Sequence, residues 1–298
     1  METGNSLLAI NLLVCVALLS IFLVYWNNRW ASPIVAIFSR WMRWILFAGG
    51  MALFSREFGW TDRPFWVLAV SAFLFWFLIE TMFTWFAIQA LSRSSIPLFP
   101  RFTEHSQSND WPVQKRFLHV REWLRKNGFQ QIQSLKADLG FDLIVRNFIF
   151  QSPDKKIRVQ VIFIPQRSGN LTICFSFDSI TEDETRVVTD NFYTPFGGFY
   201  PESWKHVRKT WTRSIESLYR AHLKRLRKSK LTFVEWEERD PLMDLNEQQL
   251  ILERLNTELG FLYPRDLREE YGRISTEGRY RVWKEVWLLN YLGKSVSR

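Results

Sequence analysis

From Pro64 to Leu91 the chain runs for twenty-eight residues with one formal charge, at Glu80. Backbone polar groups inside a bilayer must be paired within their own segment, and a helix needs about 20 apolar residues to cross. The run meets that length with room for tilt. It reads as a membrane span, and it places a carboxyl group near mid-bilayer.

A second apolar stretch, Ser6 to Trp26, is interrupted only by Asn11 and two serines. No basic residue precedes it and no small-residue cleavage pattern follows, so it reads as a retained anchor rather than a signal peptide. Tyr25, Trp26, Trp30, Trp60 and Trp66 flank the two spans as interfacial aromatics do. Between the spans, Pro33 to Phe54 is apolar but carries Arg40 and Arg43. At helical spacing Ile34, Ile37, Phe38, Trp41, Ile45, Ala48 and Ala52 share one face, with Ser39, Arg40 and Arg43 opposite. This is the pattern of an amphipathic helix lying in the interface, and a third span is the alternative.

Of the 39 Lys and Arg, five lie before residue 92, as do four of the 30 Asp and Glu. The 34 basic and 26 acidic residues that remain give the soluble part a charge of about +8. Such a surplus suits anionic partners: lipid headgroups, an acidic protein or, with less support, nucleic acid. Five arginines between Asn27 and Arg63 put that connection in the cytoplasm by the positive-inside rule. Two spans then place the soluble part outside and three place it inside. Its basic surface and its single cysteine, Cys174, point to the cytoplasm. Cys15 is the only other cysteine, so no disulfide framework is expected.

Intramembrane carboxyls are costly, and they serve either ion paths or helix pairing. Two spans do not build a path alone, so Glu80 is read as a pairing contact. In an antiparallel pair Asn11 lies within about two turns of its depth. An Asn11–Glu80 contact is expected, or one across an interface between two copies, supplemented by Thr81 and Thr84.

The layout is therefore an anchor over 1–91 (spans 6–26 and 64–91, amphipathic segment 33–54), a linker over 92–111, an α+β domain over 112–235 and a helical region over 240–298. Val113, Phe117, Val120 and Leu124 predict a helix from Pro112 to Asn127. Phe141–Gln151, Ile157–Ile164 and Leu171–Asp178 predict a three-stranded antiparallel meander, its turns marked by Pro153-Asp154-Lys155 and Gln166–Asn170. One face carries Val159, Val161, Phe175 and Phe177. The other carries Arg158, Gln160, Thr172 and Ser176, and is either solvated, covered or a binding face. Pro201 is expected to open a long helix striped by Trp204, Val207, Trp211, Ile215, Leu218 and His222, the last as a buried core histidine. Asp244 with Glu247 suggests the capping box of a further helix striped by Leu250, Ile251, Leu255 and Leu259 and closed by Gly260. Trp283, Val286, Trp287 and Tyr291 share a face near the C-terminus.

None of the four histidines has metal-ligand spacing, and no phosphate loop, nucleophile elbow or dinucleotide fingerprint is present. No metal or cofactor is expected. Thr181–Glu184 is read as the acidic first turn of a helix. The best site candidate is the junction Phe196-Gly197-Gly198-Phe199-Tyr200 entering the basic helix. There a helix N-terminus with Gly197, Gly198, Tyr200, Lys205 and Arg208 would receive an anion. The leading expectation is a non-enzymatic, multi-pass protein of the cell membrane whose soluble domain is an interaction or structural module of a complex, self-association included. The alternatives are a sensor or effector that binds an anionic small ligand or nucleic acid, and a membrane-surface enzyme.

Overall fold

A computed structural model describes residues 2–30, 32–105, 111–140, 143–165, 171–236 and 239–296. The turn expected at 166–170, part of the expected linker (106–110) and the first two residues of the first expected strand (141–142) lie outside the described residues. The chain divides into two compact units, one of 1–90 with 282–296 and one of 91–281.

In the first unit, helices α1 (Glu2–Trp30), α2 (Pro33–Glu57) and α3 (Phe65–Arg93) are each long and apolar enough to cross a membrane. The two-span expectation is thus replaced by three candidate spans. The 33–54 segment is part of one continuous helix that packs along α1. Gly49 and Leu13 lie at nearly equal distances along the chain from the α1–α2 connection. They face one another so closely that a Cβ on Gly49 would stand 2.9 Å from Leu13 Cδ2. The buried residues of α2 are Ile37, Ser39, Trp44, Ala48 and Ala52, whereas Ile34, Phe38, Trp41 and Ile45 of the expected apolar face are exposed. Small residues at helix contacts and large apolar ones facing outward are what a bilayer demands, because lipid already solvates the large side chains.

The second unit is α+β. Among its described residues one seven-stranded sheet runs in chain order: β1 (Thr103–Glu104), β2 (Gln130–Asp138), β3 (Ile144–Gln151), β4 (Arg158–Pro165), β5 (Leu171–Ile180), β6 (Arg186–Asp190) and β7 (Trp204–Arg208). The expected meander is its middle, β3 to β5, and the sheet is larger than three strands. All neighbours pair antiparallel except β6 and β7, which are parallel. A parallel pair needs a long crossover, supplied here by the aromatic and glycine-rich segment 191–203.

One face of the sheet packs against α4 (Lys115–Lys126) and α5 (Ile215–Ser229). Phe117, Val120 and Leu124 of α4 and Ile215 and Leu218 of α5 meet Phe148, Val159, Val161, Phe163, Phe175 and Phe177 in one apolar core. The period-two pattern puts those strand residues on one face, and burying them drives the two layers together.

Three helix expectations are corrected. Pro201 opens a turn, closed by the Trp204 N–H to its carbonyl at 2.9 Å, and 204–208 is strand β7. Trp204, His206 and Arg208 also fit period two, and pairing with β6 satisfies their backbone. The helix starts only at Ile215, where Ser214 Oγ accepts from Ser217 N–H. Likewise α6 (Pro241–Glu258) is capped by Asp240, with Pro241 at its first position, and Asp244 makes an ion pair instead. The buried residues of α6 are Leu245, Leu252 and Asn256; Leu250, Ile251 and Leu259 of the expected stripe are exposed. Thr181–Glu184 is the β5–β6 turn, with Glu184 at φ 61, rather than a helix start. Beyond α6 lie α7 (Arg268–Tyr271), α8 (Thr276–Trp287) and a π-helical turn, Leu288–Leu292.

His222 is fully buried, its Nε2 3.1 Å from Ser179 Oγ and its Nδ1 2.9 Å from Thr189 Oγ1. Burial, aided by nearby Arg225, pushes its pKa down to about 3 from an ordinary 6.5. The unfolded chain therefore takes up a proton that the fold refuses. The stabilisation is complete above pH 6.5 and is lost as pH falls toward 3. We predict that thermal unfolding of the full chain, followed from pH 7 to pH 4, shows a decline in melting temperature that His222→Gln flattens. Equal slopes for the two proteins would refute this account.

Candidate functional site

The second face of the sheet is covered by α6, by the segment 96–102 and by the crossover 191–203. A cavity of about 500 Å³ lies beneath them. That size is within the range of ligand pockets, on the order of 300–1,000 Å³.

The cover is tied down by polar contacts. Asn246 of α6 brackets one residue of the first covering segment, accepting from Phe102 N–H at 2.8 Å and donating to Phe102 O at 3.0 Å. Asn256 treats Phe199 of the crossover the same way, at 2.7 and 2.9 Å. A Cβ on Gly198 would stand 2.5 Å from Asn256 Oδ1, so this glycine is needed for close approach. Asp244 of α6 reaches the sheet, pairing with Arg186 and standing 3.9 Å from Arg158. Arg186 also donates to Asp178 Oδ2 at 2.8 Å. Arg158, Asp178 and Arg186 are buried and Asp244 is half-buried, and Trp236 lies 4.3 Å from the Arg158 guanidinium. Burial pushes the Asp178 carboxyl up to about 6, against the pull of Arg186.

On the cavity side, Asp190 Oδ2 lies 2.6 Å from His206 Nε2, and its Oδ1 is 3.3 Å from Arg208 Nε. Arg208 also donates to Thr194 O at 2.9 Å and to Tyr200 OH at 3.3 Å. The Tyr200 ring lies against the His206 imidazole, centroids 4.2 Å apart. Asp190 holds one ring nitrogen of His206, and among the described residues no bond is made to the other, Nδ1. Cys174, beside the cavity's apolar end, is buried and its thiol is pushed up to about 12 by burial.

Of the anion candidates, Tyr200 and Arg208 line this cavity together. Gly197 and Gly198 serve the crossover instead: Gly197 has φ +70 and its carbonyl accepts from Arg281 at 2.9 Å. Lys205 is exposed on β7, and its carbonyl accepts from Arg225. The expected helix N-terminus at this junction is replaced by a turn and a strand. Sequence reasoning misses His206 and Asp190, because helical spacing absorbs His206 and nothing local announces β6. The alternation Trp204-Lys205-His206-Val207-Arg208 is the available signal.

In the helical unit, Glu80 accepts from Trp44 Nε1 at 3.0 Å, from Trp76 Nε1 at 3.1 Å and from Tyr291 OH. The structure does not bring Asn11 to it: Asn11 is exposed on α1. Thr84 Oγ1 bonds the Glu80 carbonyl at 2.8 Å. Arg40 Nη1 and Trp41 Nε1 donate, each at 3.1 Å, to the carbonyls of Asn290 and Tyr291 in the π-helical turn. Such carbonyls at a helix end have no partner within the helix. The Trp287 and Tyr291 rings stack at 4.5 Å and both touch Trp44. Three donors from α2, α3 and the returning C-terminal segment thus converge on one carboxyl.

No known protein family, curated protein or solved structure matches this chain.

Asp244→Ala leaves two buried guanidinium groups short of a counter-charge, so it is expected to cost about 3–5 kcal/mol. Denaturant unfolding of the full chain measures this, and a cost under about 1 kcal/mol would contradict the pairing. Glu80→Leu removes the acceptor of Trp76 and Tyr291, while Trp44 keeps the Tyr291 hydroxyl at 2.9 Å. Hydrogen exchange at 288–292 should rise strongly in that variant and less in Tyr291→Phe, which removes a single donor.

Proposed function

We propose that this chain is a non-enzymatic, membrane-anchored binding protein whose soluble unit takes up a small molecule between the sheet and α6, acting as the sensing or effector part. The observation that carries the reading is the cavity of about 500 Å³. Its cover is held by polar contacts at the margins, beside an apolar cluster of Leu245, Phe102, Leu135 and Ile149. The expectation of a purely structural module gives no reason for so large a space inside a small unit. The anchor keeps the unit at a bilayer. The exposed basic residues of α4 and α5, among them Arg121, Arg125, Lys224 and Lys228, favour an anionic lipid surface as its neighbour. A protein partner, a second copy included, remains part of the proposal as the recipient of the signal.

Asp190 and His206 favour a second reading, since a carboxylate-held imidazole in a cavity is also how a general base is built. Turnover of any ester or amide by the purified protein that is lost in His206→Gln would move the protein to that class.

The binding reading is tested by filling the space. Val188 lines the cavity from β6, and Val188→Trp suits a strand while occupying the volume. Protein drawn from membranes into amphipathic polymer should carry a co-purifying organic molecule, seen by native mass spectrometry and solvent extraction. The variant should carry little. Equal content in both, or none in either, would refute the reading.

A further inference from the structure

The strand registers place side chains of the cavity floor in rows across the sheet. Gln160 of β4 stands beside Ser176 of β5, Ser176 beside Asp190 of β6, and Asp190 beside Arg208 of β7. One pleat further along β4, Ile162 stands beside Cys174. Ile164 follows on β4, and Val145 of β3, which stands beside Ala137 of β2, lines the same end. The floor is therefore divided. One end is a polar track of four side chains across four strands, with His206 next to it. The other is aliphatic, and Val145, Ile162 and Cys174 cluster there with Leu139, Ile164 and Phe192. Phe99 and Leu98 of the covering segment also line the cavity.

Charge restricts what can lie on the polar track. Asp190 is held by both His206 and Arg208, and Asp178 by Arg186. A charged head group brought here would find the complementary charges already engaged, and burying it without a partner is costly. Neutral hydrogen-bonding groups face no such penalty. Ser176 and the side chains of Gln248 and Gln249 border the same space, and His206 Nδ1 makes no bond among the described residues. Leu91, where the apolar run of α3 ends, also lines the cavity, so its wall follows a span within a few residues of sequence.

We propose that the cavity binds a single-chain amphiphile with an uncharged, hydroxyl-bearing head, of the monoacylglycerol type. The head lies over Gln160–Ser176–Asp190–Arg208 and the acyl chain over Ile162, Ile164 and Val145. This rests on the binding reading above and gives that ligand its chemistry.

The test uses the full chain in amphipathic polymer, free of detergent, because a neutral single-chain detergent would compete. Four probes are compared by equilibrium binding: a long-chain monoacylglycerol, the fatty acid of the same chain, the corresponding lysophosphatidylcholine, and glycerol. The monoacylglycerol should bind at least about tenfold more tightly than the two charged amphiphiles, and glycerol should not bind measurably. Ile164→Gln, which places an amide in the aliphatic end, should weaken the monoacylglycerol about tenfold. If that variant does not fold, the comparison of probes on the native chain still decides. Preference for the fatty acid or the lysophospholipid overturns the uncharged head and leaves the binding reading standing. Glycerol binding as well as the monoacylglycerol overturns the role of the chain. No binding by any probe, while a different molecule co-purifies, overturns the amphiphile alone. No binding and no co-purifying molecule overturns both readings.

Discussion

The second face of the sheet carries Arg158, Asp178, Arg186 and Asp190, all buried. Buried charges persist only when paired and hydrogen-bonded, so the part of this face that carries them is not closed by an apolar layer as the first face is. Helix α6 solves the problem. Asp244 completes the charge set, and Asn246 and Asn256 each fasten one peptide of a covering segment. The helix therefore stands on polar posts, with Leu245 packed beside them on Phe102, Leu135, Ala137 and Ile149. The first face, by contrast, closes by interdigitation: Phe117 and Phe148 each meet Phe163 edge-on, with centroids 5.1 and 5.7 Å away. The same sheet thus has a tight side and a spacious side, and the difference follows from which residue types alternate along β4 to β7.

The helical unit is governed by a related constraint. A carboxyl among apolar helices is tolerable only with donors at hand, and Glu80 draws two indoles and a phenol. Because the phenol belongs to residue 291, the carboxyl fixes the returning end of the chain as well as α2 against α3. Arg40 makes α2 look like a surface helix, yet its guanidinium serves a carbonyl at the end of the π-helical turn.

The three central strands and helix α4 are legible in the sequence, because Phe117, Val159 or Phe175 repeat at clean periods; for α6 the helix is legible but its cap and buried face are not. β2 is not, since a bulge between Gln131 and Gln133 breaks its alternation. β6 is too short and β7 is ambiguous: Trp204, Val207 and Trp211 fit helical spacing as well as Trp204, His206 and Arg208 fit a strand. Pairing with β6, a long-range event, decides between them. The cavity is half legible. Gln160 and Ser176 mark the second face as unusual, and Tyr200 and Arg208 stand out beside the paired glycines. Their meeting with Asp190 depends on a parallel pair that no local pattern announces. Similarly, nothing near Glu80 in the sequence points to Tyr291.

The return of 282–296 to the helical unit has a consequence for the covalent architecture. The α+β unit is an insertion in the helical one, entered at residue 91 and left at residue 281. One break in the chain between the units leaves the α+β unit attached, and release takes two. Any rearrangement within it reaches the helices through two covalent routes, one ending on α3 and the other on the turn that bonds Glu80 of that same helix.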